Sequence, residues 1–167
     1  MTRSITPIAT GLVLLFVMLL LSALVNAESH AKKIDELLAQ KEEPSGVVFE
    51  IVTGRSNSLD WALPLVNRYI EKLRKKFPEI DVSIVTHGSE QFALTKKEAT
   101  KKSKVHSITQ QLNKSGVPLH VCETHAGWKG VSAEDFPDYV NVSTTGPAQV
   151  NDYVEVGYTL IIISSPG

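Results

Sequence analysis

Segments with the patterns of strands and helices alternate along most of this chain, and this alternation constrains the fold more than any other feature. Short runs rich in β-branched and aliphatic residues predict five strands, over residues 47–53, 81–86, 117–122, 140–143 and 158–163. Apolar residues recur at helical spacing between several of them. The alternation predicts a Rossmann-like three-layer α/β/α sandwich on a mainly parallel sheet of about five strands.

Three helices are predicted between these strands, over residues 57–77, 103–114 and 147–156. Proline is disfavoured in a helix interior, so Pro64 places the regular start of the first helix near Leu63. The last predicted strand, YTLIII, is apolar throughout. This pattern is typical of a strand in the middle of a sheet that is covered on both faces.

The first 27 residues have the pattern of a secretory signal peptide. Arg3 precedes an apolar run over residues 12–25, and Val25 and Ala27 stand at the two positions that a signal peptidase reads. Cleavage after Ala27 leaves 140 residues, the usual size of one domain. An uncleaved membrane anchor is the alternative, because residues 5–25 carry no charge and are long enough to span a bilayer.

Residues 28–45 are charged and polar, and we interpret them as a tether that leads to a single domain over residues 46–167. Ile34, Leu37 and Leu38 allow one or two amphipathic turns within the tether. The cleaved chain has 16 basic and 18 acidic residues, and its net charge of −2 does not indicate a nucleic acid or an anionic surface as partner. No later segment is apolar enough for a second span, so the cleaved protein is expected to be soluble, with no membrane contact.

Cys122 is the only cysteine of the chain, and it lies in the stretch PLHVCETHAGWKGV. Exported domains use cysteines in pairs, as disulfides, so a single cysteine indicates a reactive thiol or an intermolecular partner, unless it only packs in the core. A predicted strand ends at Cys122, and another ends just before His87. Ligands of open α/β sheets bind beyond the carboxyl ends of the strands, so both residues fall where chemistry is expected.

The residues after Cys122 predict surroundings that favour a thiolate. A cysteine at the start of a helix faces free N–H groups and the positive end of the helix dipole, and both stabilise a thiolate. His125 can add a positive charge or move a proton, and Thr124 can cap the helix or donate a hydrogen bond. Trp128 is expected either to cover the site or to fill the core beneath it.

Other polar features near the site have two interpretations each. Either His87 projects its imidazole into the site, or His87 is simply exposed and Gly88 is present because it allows a positive φ. Lysines over residues 96–104 either attract an acidic partner or an anionic sulfur compound, or form a solvated surface. Four side chains carry metal-ligand atoms, namely His87, His120, Cys122 and His125. No CxxC or HxxxH pair accompanies them, so neither a metal nor another cofactor is predicted.

Several motifs follow one another at a characteristic spacing: Thr86-His87-Gly88, Gly116-Val117-Pro118 leading to Val121-Cys122, the strand over residues 140–143, and the segment from Gly146 to Gly157-Tyr158. Their order and spacing resemble the DsrE/DsrF-like sulfur-relay family, in particular its exported single-domain members. The resemblance covers residues 47–163. It implies a periplasmic, Rossmann-like subunit that assembles into trimers or hexamers.

In the sulfur-relay members of that family, a cysteine at the end of the third strand accepts a sulfane sulfur as a persulfide and passes it on. Cys122 matches that position. The resemblance therefore implies a sulfur carrier or sulfurtransferase that works with a donor or acceptor protein or a small sulfur compound. The residues implied around the sulfur are His87, Gly88, Thr124 and His125.

A non-catalytic oligomeric module that binds a small ligand, with a structural cysteine, is the alternative to sulfur transfer. A redox thiol that reacts with oxidants is a third interpretation. The chain also departs from the family pattern at polar positions. Thr124-His125 stand in place of an asparagine–threonine pair, and Gln149 stands where a glutamate is common. If these positions line the site, its donors and charge differ from those of the family.

Overall fold

The computed structural model describes residues 30–164, and the predicted signal peptide lies outside this range. These residues form one sheet of five strands: β1 (Val47–Ile51), β2 (Val82–Thr86), β3 (Leu119–Cys122), β4 (Asn141–Ser143) and β5 (Thr159–Ile163). All neighbouring strands are parallel, in the order β4–β3–β2–β1–β5. Each predicted strand is present, one or two residues shorter at one end.

Helices flank this sheet on both faces, which confirms the predicted three-layer Rossmann-like α/β/α sandwich. They are α1 (30–39), α2 (Leu59–Lys76), α3 (Ser103–Lys114), α4 (Glu123–Gly127) and α5 (Gly146–Glu155). Short 3₁₀ turns cover Ser89–Leu94, Lys96–Glu98 and Ala133–Asp135. No helix within residues 30–164 has the length and apolar character needed to cross a membrane.

The predicted start of α2 near Leu63 is wrong, because the helix begins at Leu59 and contains Pro64 in its second turn. Proline removes one backbone hydrogen bond and crowds the carbonyl of Asp60. The helix continues through this position because buried side chains on both sides of it, Ala62 and Val66 among them, pack against the sheet. Burial of one helix face therefore outweighs the local penalty of the proline.

One face of the sheet holds the main core. Its largest fully buried side chains include Phe49, Ile51, Ile84, Leu119 and Ile161. Ile34 and Leu37 of α1 belong to the same cluster, and the His30 ring hydrogen-bonds to the hydroxyl of Tyr69 on α2 at 3.0 Å. Residues 30–39 are therefore part of the packed domain rather than of a free tether.

The opposite face packs against α5. Val48, Val85 and Val150 form a small second cluster there, with Leu160 of β5 against it. β5 lies at the edge of the sheet and Ile162 is 46% exposed, so its predicted central position is wrong. The apolar sequence of β5 has another cause. Alternate residues of this edge strand are buried in the main core, while Leu160 is half-covered on the other face.

Candidate functional site

Cys122 joins the carboxyl end of β3 to α4, for which it is the N-cap residue. Its Sγ accepts a hydrogen bond from the backbone N–H of His125, with a donor–acceptor distance of 3.4 Å. Because strand side chains alternate, the thiol lies on the α5 face of the sheet, the face opposite to the buried Val121. The residue is only 5% exposed, so the sulfur is reached from a cavity rather than from open surface.

A cavity of about 280 Å³ lies beside this thiol. It is lined by the end of β2, by α4 and by the first turn of α5, through His87, Cys122, Thr124, His125, Trp128, Thr145 and Pro147. The structure thus brings Cys122 together with three of the four residues that were expected around the sulfur. The volume of this cavity is at the small end of the range for ligand pockets, which favours a small molecule as occupant.

The remaining expected residue, Gly88, supports the loop that follows β2 and is not among the described lining residues. Its φ is −99°, so the alternative in which this glycine serves a positive φ is wrong. Lack of space explains the glycine instead, because a Cβ at this position would lie 2.5 Å from Oε2 of Glu90. The Gly88 N–H donates to Oε1 of the same carboxylate at 2.7 Å.

Two imidazoles border the cavity, and each has one nitrogen engaged. Nδ1 of His125 donates to the backbone oxygen of His87 at 2.7 Å, because a carbonyl oxygen can only accept. Nε2 of a neutral His125 is then a proton acceptor. Nε2 of His87 lies 2.8 Å from Oε1 of Glu50, and these two side chains are 16% and 17% exposed. Two groups able to exchange protons therefore lie in the cavity that contains the thiol.

Two aromatic rings contact the imidazole of His125. The Phe92 ring meets it edge-on, with centroids 5.4 Å apart and an interplanar angle of 85°. Trp128 is tilted against it at 5.8 Å. Trp128 is 77% exposed, so of its two expected positions it takes the rim of the cavity rather than the core. The orientation of His125 is fixed by these rings together with its hydrogen bond.

Thr124 connects α4 to the loop before α5 rather than capping α4. Its backbone N–H and its hydroxyl both donate to the carbonyl oxygen of Thr144, at 3.1 and 2.7 Å. The cap of α5 is Thr145, whose Oγ1 accepts from the N–H of Ala148 at 3.3 Å. These contacts hold together the two helix starts that border the cavity.

Gln91 fixes the backbone of Cys122 and is not predicted by the sequence. Its Oε1 accepts from the Cys122 N–H at 2.7 Å, and its Nε2 donates to the Cys122 carbonyl at 3.3 Å. The amide is fully buried in the 3₁₀ turn Ser89–Leu94. Buried backbone groups need hydrogen-bond partners, and here one side chain supplies both. The position of the sulfur follows from this pair of contacts.

The neighbouring side chain, Glu90, links the loops that follow β1 and β2. Its Oε2 accepts from the N–H and hydroxyl of Thr53, at 3.1 and 2.9 Å, and from the Gly54 N–H at 3.1 Å. Its Oε1 accepts from the Thr86 hydroxyl at 2.9 Å and from the Gly88 N–H at 2.7 Å. Five donors compensate the burial of this carboxylate. The strand ends below the cavity are therefore rigidly joined.

His120 anchors α5 to the sheet. The Ser143 hydroxyl donates to Oε1 of Gln149 at 2.8 Å, so the Ser143 oxygen accepts from Nδ1 of His120 at 3.0 Å. The Tyr153 hydroxyl then donates to Nε2 at 3.0 Å. This chain of bonds fits a neutral ring, and desolvation by burial lowers the pKa of His120 below its usual value. Within residues 30–164, no cluster of three or more His, Cys, Asp and Glu side chains is arranged to hold a metal ion.

Glu50 is a further contributor to the site that sequence patterns did not single out. A signal for it is present, since it is the only charged residue of β1, VVFEI. A charged side chain within a strand that is otherwise buried needs a partner, and it finds one in His87. The identity of that partner depends on strand order, because β1 and β2 are neighbours.

Comparison with solved structures shows the same fold in other proteins. MTH1491 from Methanobacterium thermoautotrophicum, a protein of unknown function, is 17% identical, with a TM-score of 0.56 over 70% of this chain and 97% of that chain. The ychN protein from E. coli is 18% identical, with a TM-score of 0.52 over 71% and 99%. BT1422 from Bacteroides thetaiotaomicron, also of unknown function, is 14% identical, with a TM-score of 0.50 over 70% and 94%.

These identities are low, so the similarity shows the fold alone. No family model matches the chain, and no curated protein matches its sequence. The comparisons therefore support the Rossmann-like sandwich, while the resemblance to the DsrE/DsrF-like family stays a prediction.

Proposed function

We propose that this protein carries or transfers sulfane sulfur, with Cys122 as the acceptor. The observation that carries the proposal is the position of the single thiol at the N-cap of α4, in a cavity that two imidazoles border. A persulfide carrier needs a thiolate, space for one more sulfur atom and donors that stabilise the terminal sulfur. The His125 N–H, the cavity and the imidazole of His87 can meet these needs.

The proposed reaction has two balanced steps. The Cys122 thiolate attacks the sulfane sulfur of a donor such as thiosulfate. A bond forms between Sγ and that sulfur as the S–S bond of the donor breaks, and sulfite leaves with the electron pair. An acceptor thiolate then attacks the terminal sulfur of the persulfide, and Cys122 leaves as a thiolate. Neither step needs an external oxidant or reductant, and Nε2 of His125 can take the proton of the initial thiol.

The resemblance to the DsrE/DsrF-like family supports the same role, because Cys122 stands at the end of β3, where the relay members carry their cysteine. As part of this proposal, the protein works in the periplasm after removal of residues 1–27, or on the inner membrane if they remain. It assembles into a trimer or hexamer. The exposed side chains of Val52, directly after β1, and of Ile162, on the α5 face of β5, favour self-association.

Mass spectrometry after incubation with thiosulfate or polysulfide tests the proposal. The expected result is a mass increase of one sulfur atom on the peptide that contains Cys122, reversed by a small thiol. Cys122→Ser is expected to take up none, with unchanged circular dichroism as evidence of folding. Sulfur uptake by Cys122→Ser would contradict the proposal.

The low exposure of Cys122 favours a second candidate function, a non-catalytic oligomeric module that binds a small ligand in the same cavity. In that case the cysteine fills space below the ligand. Thiol accessibility separates the two functions. A relay thiol reacts with iodoacetamide in the folded protein, whereas a structural thiol reacts only after denaturant is added.

A further inference from the structure

A second and larger cavity lies next to the Cys122 site without being part of it. Its volume is about 470 Å³, and it lies between the loop after β1 and the lysine-rich stretch of residues 96–104. Phe92 lines this cavity, and the same ring contacts His125 of the first one. The two cavities share no described lining residue. The sulfur-transfer proposal does not use this second cavity.

Three lysines, Lys97, Lys101 and Lys102, make one wall of the second cavity basic. Within the described residues, Nζ of Lys97 has no hydrogen bond or ion pair. Nζ of Lys101 lies 4.0 Å from Oε2 of Glu98, which also lines the cavity, and the lysine side chain is 79% exposed. A contact of that length at the surface contributes little stability. Hydrogen bonds and, to a smaller extent, the Lys97 charge lower the pKa of the exposed Asp135 carboxyl, so Asp135 and Glu98 compensate part of the positive charge of this wall. The remaining positive charge is available to an anion.

The opposite wall supplies neutral hydrogen-bond donors. Ser56 and Asn57 line the cavity directly before the 18-residue helix α2, whose N-cap residue, Ser58, makes no side-chain capping bond in the described structure. The backbone N–H groups of Ser58, Asp60, Trp61 and Ala62 already donate to backbone carbonyls, so the Ser56 hydroxyl and the Asn57 amide are the donors offered to a ligand. The positive end of the α2 dipole adds a field that favours a negative charge. Asp60 opposes this effect, but its Oδ2 lies 2.5 Å from Nζ of Lys102, so these two charges compensate each other.

We propose that this second cavity binds a small organic anion that carries a phosphate- or sulfate-type group. The tetrahedral oxyanion lies between Lys97, Lys101 and the start of α2, and receives both charge and hydrogen bonds. Phe92 and Ala93 provide an apolar surface for the organic part of the ligand. The cavity is larger than a bare oxyanion, so it leaves room for an organic group against its apolar side.

Calorimetric titration with phenyl phosphate tests this site, with inorganic phosphate, phenyl sulfate and phenol as the other probes. Phenyl phosphate is expected to bind saturably and more tightly than inorganic phosphate, and phenol not to bind. Stronger binding of phenyl phosphate than of phenyl sulfate would identify a phosphate ester as the ligand class, and the reverse order a sulfate ester. Lys97→Gln with Lys101→Gln is expected to weaken binding about fivefold to thirtyfold, the effect of two partly screened charge contacts.

Two matched variants separate a local site from general charge. Lys72→Gln with Lys114→Gln removes the same charge from exposed positions elsewhere and is expected to leave binding unchanged. Asp60→Asn frees Lys102 and is expected to tighten binding. Equal weakening by the two lysine pairs, or no saturable binding of any probe, would overturn the site.

The Cys122→Ser variant separates this test from the sulfur proposal, because Cys122 does not line the second cavity. The variant is expected to bind phenyl phosphate as the native chain does. Two results would place the anion in the first cavity and refute a site in the second cavity. One is loss of phenyl phosphate binding in Cys122→Ser. The other is protection of the native thiol from iodoacetamide by phenyl phosphate, with binding unaffected by Lys97→Gln with Lys101→Gln.

Discussion

Gln91 contacts both backbone polar groups of Cys122, so its amide determines how β3 ends. Replacing it with leucine leaves the buried Cys122 N–H without a partner and removes one donor to the Cys122 carbonyl, which as the N-cap carbonyl also accepts the first hydrogen bond of α4. A buried N–H without a partner costs about 1–3 kcal/mol. We expect Gln91→Leu to lower the free energy of unfolding by about 1–3 kcal/mol in urea denaturation.

Gln110→Leu is the matched control, because Gln110 is exposed on α3. Its effect should stay within about 0.5 kcal/mol. Equal stability of Gln91→Leu and Gln110→Leu would refute the proposed role of the amide.

His120 makes stability depend on pH in a defined direction. Burial lowers its pKa below the ordinary value of 6.5, so the unfolded chain binds a proton at a higher pH than the folded one. The stabilising effect of the neutral ring is full above about pH 6.5 and is lost as the pH falls through the folded pKa. Urea denaturation at several pH values between about 7 and 5 measures this loss.

His120→Gln removes this contribution, so the free energy of unfolding of the variant should fall less steeply with decreasing pH than that of the native chain. His30 and His106 also have pKa values lowered by desolvation, and they keep part of the dependence in both proteins. Identical slopes for native chain and variant would contradict the assignment to His120.

Sequence patterns placed Cys122, His87 and His125 in one site, because the carboxyl ends of parallel strands meet at one edge of a sheet. They did not identify Gln91 or Glu50. The contact partners of these two residues are 31 and 37 positions away along the chain. A polar residue whose role depends on such a distant partner has no local signal, and only the arrangement of the strands reveals it.

The first turn of α5 depends on the absence of a side chain at Gly146. A Cβ there would lie 2.3 Å from Cβ of His87, so the helix start and the cavity wall cannot both keep their positions. We expect Gly146→Ala to lower the free energy of unfolding by about 1–3 kcal/mol. Thermal and urea denaturation measure the effect.

Gly127→Ala is the control, since a Cβ at Gly127 meets nothing within 4 Å among the described residues. Alanine favours a helix over glycine by about 0.5–1 kcal/mol, so this variant should be unchanged or slightly more stable. A Gly146→Ala protein as stable as Gly127→Ala would show that the close approach is readily relieved.

α1 is expected to contribute to the stability of the domain. Ile34→Ala empties a position that is fully buried in the main core, and we expect a loss of about 2–5 kcal/mol in the free energy of unfolding. Glu36→Ala, on the exposed side of the same helix, should change it by less than about 0.5 kcal/mol. Similar small effects for both variants would mean that residues 30–39 behave as a tether.

At the scale of elements, spacing allowed one or two amphipathic turns within residues 28–45 but predicted neither the helix over residues 30–39 nor its docking. Docking depends on α2, where Nζ of Lys76 donates to the carbonyls of Leu38 and Gln40 and the Tyr69 hydroxyl meets His30. The sequence gives little sign of this docking, because most residues of the segment are charged or polar. Only Ile34, Leu37 and Leu38 form its apolar face.

The whole molecule has a sheet that is covered unequally, with α1, α2 and α3 on one face and α5 on the other. We expect light scattering to show a trimer or hexamer for the chain that starts at Glu28. Ile162→Lys should shift it towards smaller species, because the charge falls on the partly open face. Thr100→Lys adds the same charge elsewhere and should not. A native chain that is monomeric at all concentrations would refute the assembly.

Alternation of strands and helices was sufficient to predict the layers of the fold, because only a few architectures bury such elements. It did not predict that β5 would lie at the edge beside β1. Strand order depends on which face each crossover helix covers, and the apolar sequence of YTLIII is equally compatible with a central strand.

Strand order also determines when the site becomes complete during synthesis. β1 is made first, and one of its two neighbours, β5, is made last. A nascent chain that ends at residue 143 has four strands but leaves one edge of β1 open, and it lacks Thr145 and Pro147 of the cavity wall. The pocket around Cys122 therefore closes only after residues 144–163 have emerged and docked. Formation of the proposed site therefore depends on synthesis of this last part of the domain.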